Sequence, residues 1–205
     1  MQRASLHARL RDATAEAHER LERDLDWEAR VAARAGYRDL LAGFHGFHAA
    51  YEPAIGEALE DEAFFAPRRR LALLEADLRH LGLADPDLAA LPRPARPRLE
   101  GPAAAMGALY VLEGSTLGGQ VIGRRILALH GLDARGGCRY YLADGRRVGA
   151  LWAAFRARLD ETAALSPAGD GAVAAATRTF DALRAWLCAG EAEAPAEARE
   201  AGAAP

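Results

Sequence analysis

From Ser5, placed to cap a helix, Leu6, Leu10, Ala13, Ala17, Leu21 and Leu25 recur at steps of three and four. That spacing puts them on one face of an α-helix and cannot serve a strand, whose faces alternate every second residue. The same rhythm returns from about Arg34 through Tyr37, Leu40, Leu41, Phe44, Phe47, His48 and Tyr51, then over residues 68–82, 149–164 and 167–188. No segment sustains period-two alternation and no long unit repeats, so the pattern predicts an all-α fold. One helical domain over residues 1–188 follows, with roughly six or seven helices bounding a pocket rather than forming a simple four-helix bundle. Pro53 should break or kink the second helix. The five prolines from Pro86 to Pro102 read as a surface connection, and residues 189–205, without one large apolar side chain, read as a disordered tail.

The stretch from Gly107 to Gly131, "GALYVLEGSTLGGQVIGRRILALHG", keeps helical spacing while carrying Gly107, Gly114, Gly118, Gly119 and Gly123. An interior glycine costs a helix about 0.8–1 kcal/mol against alanine, so five forfeit roughly 4–5 kcal/mol. On a helical wheel Gly107, Gly114 and Gly118 fall within about 40° of one another, with Tyr110 beside them. Two readings stand. Small residues on one face allow close helix packing; alternatively, a broad flat ligand lies against bare backbone there. A phosphate loop is disfavoured, since no strand precedes the glycines and no Lys-Ser/Thr follows them.

Composition narrows the partners. A net charge of −3, with neither a basic stripe nor an acidic block, gives no reason to expect nucleic acid or a membrane surface. All 26 basic residues are arginine, so any anion site must use guanidinium chemistry, which favours bidentate contact with carboxylates. Cys138 and Cys188 have no metal spacing and no disulfide-framework pattern, and "MQRASLHARLRDATAEAH" lacks the apolar core of a signal peptide. A soluble, cytoplasmic protein is the expectation.

Several side chains could carry chemistry. His18 lies beside the apolar stripe of the first helix and could ligate a metal or sit at a surface. His45 and His48 share a helix face with Glu52, but the duplicated carboxylate-x-x-His pairs of a di-iron bundle are missing, which favours a structural use. The arginines at 68–70 read as a solvated face or a helix start. Neither cysteine has a histidine beside it in sequence, so a thiol nucleophile has no support.

Two separated motifs, "LRDATAEAHERLE" from Leu10 to Glu22 and "ALYVLEGSTLGGQVIGRRI" from Ala108 to Ile126, together resemble the heme oxygenase family, particularly its bacterial branch that includes enzymes supplying bilin to phytochromes. The resemblance implies heme sandwiched between a proximal and a glycine-rich distal helix, serving as substrate and prosthetic group. It is opened to biliverdin with release of ferrous iron and carbon monoxide. His18 stands where the family has its proximal iron ligand, and a neutral imidazole suits iron that must bind oxygen. Gly114 and Gly118 match the distal glycines, whose backbone comes close over the ring and steers oxygen towards its edge.

By the same resemblance Arg11 and Tyr110 match propionate-contacting positions and favour the IXα isomer. Arg125 resembles a basic position of some bacterial members, and Arg178 is a further basic candidate. Ser115 departs from the mammalian pattern, which has an aspartate after the first distal glycine; a serine hydroxyl donates and accepts but carries no charge. Protons must then arrive through hydrogen-bonded water. That departure motivates an alternative, a non-catalytic heme-binding or heme-delivery protein. The chain has neither a dinucleotide fingerprint nor an iron–sulfur cysteine pattern, so an external donor such as ferredoxin or a flavoprotein reductase is implied, with a phytochrome as a possible acceptor of the product.

Overall fold

The computed structural model describes residues 5–164 and 168–188, and among them it contains ten α-helices, two short 3-10 turns and no strand beyond isolated bridges. Helix α1 (Leu6–Leu25) begins where the sequence marks it, with the Ser5 hydroxyl accepting the Ala8 N–H at 3.2 Å. Its buried stripe is Leu6, Leu10, Thr14, Ala17, Leu21 and Leu25. Thr14 takes the inward place expected of Ala13, since its hydroxyl donates to the Leu10 carbonyl at 2.8 Å and so enters the core satisfied. Asp26, in the left-handed region at φ 40°, ends α1 and caps α2 (Trp27–Ala32).

Helix α3 (Arg34–Leu59) runs through Pro53 without a break, contrary to the expectation from sequence. Pro53 is exposed, so its ring projects outward. The missing hydrogen bond costs about 3 kcal/mol. Buried Phe47, Tyr51, Ile55 and Leu59 flank it, each stabilising by about 1.5–3 kcal/mol, and their common face outweighs the proline.

After α4 (Glu62–Phe65) and one 3-10 turn, α5 (Leu71–His80) starts later than the periodicity suggested, because Arg68 and Arg70 are taken up in buried contacts. The proline-rich connection contains a short helix, α6 (Asp85–Ala90), with Leu88 buried. Pro86 suits it, since a first-turn proline loses no helical hydrogen bond.

Helix α7 (Gly101–His130) is the axis of the molecule, 30 residues and thus about 45 Å long. It packs on α10 (Ala168–Cys188) and α3, and α10 in turn packs on α1. Gly107 makes the tightest of these contacts: a Cβ there would lie 2.0 Å from the Ala172 carbonyl oxygen. Small-residue packing is therefore real, and Gly107 belongs to it rather than to a bare ligand face. On another side α8 (Arg139–Leu142) wedges Tyr141 and Leu142 against Gly119 and Gly123, and α9 (Val148–Ala164) covers the end of α1. Residues 189–205, expected to be disordered, lie outside the described residues.

Candidate active site

A cleft opens between α1 and α7, with α10 at its side. Its cavity of about 270 Å³ is lined by Arg11, Thr14, Ala15, His18 and Glu19 of α1, Tyr110 of α7 and Phe180 of α10. His18 keeps 52% of its side chain exposed and stands edge-on to the Phe180 ring, with centroids 5.6 Å apart. Its Nδ1 faces the Glu22 carboxylate one turn on at 3.6 Å, beyond hydrogen-bond distance.

Helical spacing puts Gly114 and Gly118 one and two turns beyond Tyr110 on the same face of α7. A Cβ added at either would meet nothing within 4 Å. The five interior glycines thus divide by cause. Gly107, Gly119 and Gly123 are small because neighbours press on them, whereas Gly114 and Gly118 are small beside open space.

Arg11 lines the cleft, with Nε and Nη2 bonded to Asp12 at 2.9 and 2.8 Å and Nη1 outside that pair. Tyr110 is half-buried against Thr14; burial pushes its phenol up, so it is a neutral hydrogen-bonding group at physiological pH. Arg125 is exposed on α7, eleven residues beyond Gly114 and on nearly the same face. Arg178 does not line the cavity with Phe180; its charge acts on Tyr51 of α3. The structure therefore brings His18, Arg11 and Tyr110 together, continues them with Gly114 and Gly118, and leaves Arg178 apart.

Behind the glycine wall lies a buried polar network that the sequence reading missed. Arg68 and Arg70 are only 5% and 4% exposed, not a solvated face. Arg68 Nε approaches Glu113 at 3.4 Å while its other nitrogens donate to the Phe64 and Leu151 carbonyls at 2.6 and 3.1 Å. Arg70 pairs with Asp144. Burial pushes the Glu113 carboxyl up, and Arg68 and Arg70 oppose that shift.

Glu52 Oε1 accepts the Arg70 and Leu71 N–H groups at 2.7 and 2.9 Å and meets His48 Nδ1 at 2.9 Å. His48 Nε2 in turn meets the Tyr140 hydroxyl at 3.2 Å. Asp77 fixes Tyr140 by accepting the Arg139 and Tyr140 N–H groups at 2.9 and 2.8 Å. Only the i,i+4 spacing of His48 and Glu52 announced any of this; the other partners lie on different helices. Ser115 donates to the Leu112 carbonyl at 2.6 Å and also bears on the Tyr140 phenol. Among the described residues no group of three or more His, Cys, Asp or Glu side chains is arranged to hold a metal ion by itself.

A family model for heme oxygenase matches residues 4–189. The chain belongs to the heme oxygenase family. It is similar to a heme oxygenase of Xanthomonas campestris pv. campestris (strain 8004), 38% identical over 122 residues that make up 60% of this chain and 69% of that protein. Its fold is similar to that of the NO- and CO-bound heme oxygenase from Neisseria meningitidis, with a TM-score of 0.73 at 21% identity, covering 95% of this chain and 96% of that one. Heme oxygenase 2 from Chlamydomonas reinhardtii without heme gives 0.71 at 21% identity, covering 90% and 96% of the two chains. The heme oxygenase from Leptospira interrogans gives 0.71 at 16% identity, covering 91% and 100%.

Membership makes the chain an enzyme of heme degradation, and the cleft fits that substrate. A flat macrocycle would need a wall without side chains, and Gly114 and Gly118 present open space on α7; its iron would need a nitrogen ligand, and His18 lines the cleft. No helix among the described residues is long and apolar enough to cross a membrane.

Proposed function

We propose that heme enters the cleft between α1 and α7 as substrate, where His18 would hold its iron, and that the products are biliverdin, carbon monoxide and ferrous iron. The observation that carries this reading is the open face at Gly114 and Gly118, on the same side of α7 as Tyr110, which lines the cleft with His18. When bound, heme supplies the redox chemistry that activates oxygen. The protein's own residues do the rest: Phe180 stands edge-on to His18 and limits its ring, Glu22 places a negative charge beside it, and bare backbone at Gly114 and Gly118 leaves room for oxygen near the ring.

Arg11 and Tyr110 anchor the propionates at the mouth, Arg11 through the donors outside its pair with Asp12. That orientation favours opening at the α-meso edge and the IXα product. Arg125 adds positive charge beyond Gly118, and Arg178 contributes at longer range. Electrons come from a separate donor such as a ferredoxin or a flavoprotein reductase, and a bilin-accepting phytochrome is a suitable downstream partner. Neither Cys138 nor Cys188 forms a disulfide, which suits a cytoplasmic setting.

Hemin titration tests the site: a 1:1 Soret species whose ferric spectrum changes in His18→Ala is the expected result, and an unchanged spectrum would overturn the ligand. Reduction of the complex with catalase present should replace the Soret band by a bilin absorbing in the red. An intact heme spectrum would instead favour a carrier. Chromatography of the single-turnover product reads the isomer.

A further inference from the structure

We infer that ion pairs between α1 and α10 fix the register of these two helices and so hold Phe180 level with His18, which makes Arg20, Asp24, Asp181 and Arg184 positioning residues for the cleft. The inference rests on the heme reading above, because the wall it sets is the one that carries the His18 imidazole.

Among the described residues three ion pairs cross from one helix to the other. Arg9 meets Asp170, Arg20 Nη2 meets Asp181 at 3.7 Å, and Arg184 Nε donates to Asp24 at 2.5 Å. The partners stand 161 residues apart in sequence at the first pair and 160 at the last, so α1 and α10 run parallel along the whole ladder. Residues 26–167 lie between the two helices, so no short loop decides how far one slides along the other.

The apolar faces leave that choice open. Both buried stripes repeat at each turn, with Leu21 and Leu25 on α1 and Ala176, Phe180 and Leu183 on α10, so a slip of one turn again sets apolar against apolar. The charges do not repeat. One turn in one direction brings Asp181 opposite Asp24, and one turn in the other brings Arg184 opposite Arg20, so attraction becomes repulsion either way. Exposed ion pairs add little to stability; their value here is the contrast between the right register and the two wrong ones. Arg20 also bonds Glu16 at 2.7 Å and Asp24 meets Arg23 at 3.7 Å, contacts inside α1 that are blind to the register.

The middle pair of the ladder sits beside the proposed ligand. Asp181 follows Phe180 in the chain, and Arg20 lies just beyond His18 on α1. Phe180 is buried and stands edge-on to His18, with centroids 5.6 Å apart. A slip of one turn moves α10 by about 5.4 Å, nearly the whole of that separation, and leaves Ala176 or Arg184 at the level of the imidazole. Close packing at Gly107 fixes α10 on α7, and the ladder fixes α1 on α10, which together place His18 relative to the glycine helix.

Charge reversal tests the lock. In the heme-free protein the His18 ring protons lie in the ring current of Phe180, and Phe180→Leu marks where their NMR resonances fall without it. Asp24→Arg and Arg184→Asp should each move the His18 resonances towards those of Phe180→Leu, and the swap carrying both should return them to the parent positions. In the hemin complex the ferric EPR g values should follow the same pattern, changed in each single variant and restored in the swap. Arg20→Asp, Asp181→Arg and their swap repeat the test on the middle pair. His18 resonances that stay in place in the single variants, or a swap that departs as far as they do, overturn the lock. A parent protein that gives no Soret band with hemin overturns the heme reading instead, and the NMR result then decides the register by itself.

Discussion

Replacing Gly114 and Gly118 by alanine separates stability from function in opposite directions. Each glycine forgoes about 0.8–1 kcal/mol of helix propensity. A Cβ at either position meets nothing within 4 Å, so no steric penalty offsets the gain. Gly114→Ala/Gly118→Ala should therefore be more stable than the parent by about 1.5–2 kcal/mol, raising Tm by roughly 3–8 °C for a chain of this size. On the proposed binding mode the added methyl groups would stand where the ring and its oxygen lie, so hemin should bind more weakly and turnover should fall. Thermal melts with and without hemin read both effects: the variant starts higher and gains less from the ligand. Gly107→Ala is the control, because its Cβ would lie 2.0 Å from the Ala172 oxygen and must destabilise. A double variant that melts lower than the parent, or binds and turns over heme equally well, would refute the division of the glycines into packed and open.

Arg68→Met should cost about 3–5 kcal/mol in urea unfolding, because it leaves Glu113 buried without its cation; a loss below about 1 kcal/mol would contradict the pairing. Burial holds the His45 imidazole below its usual range, with Arg93 and His48 acting in the same direction and Glu75 against them. The unfolded chain therefore takes up that proton first, so stability should fall as pH drops below about 6.5. His45→Gln should flatten this part of the curve, and equal slopes in the two proteins would sink the assignment. His7, lowered mainly by burial, shifts in the same sense and should steepen the same acid limb, with His7→Gln as its check.

The long helices were legible because their buried faces are built from residues three and four apart, and the fold class followed from that period alone. The Leu6–Leu25 stripe and its Ser5 cap are local facts, and the structure repeats them. Pro53 misled because propensity is a local cost while the packing that overrides it is not. Arg68 and Arg70 read as solvated because charge is usually exposed; their partners Glu113 and Asp144 lie on elements more than forty residues away, where no spacing rule reaches. The glycine face was half legible. The wheel grouped Gly107 with Gly114 and Gly118, and only the position of α10 shows that the first is pressed and the others are open.

Helix α7 is gripped at two places, on α10 through Gly107 and on α8 through Gly119 and Gly123, while the turns between face the cleft. Between those grips Ala108, Leu109, Val111 and Leu112 are buried in the core, so the same turns that show bare glycine outward are anchored by apolar side chains inward. One wall of the cleft is thus the back of the core itself, carried by a single helix rather than by a loop.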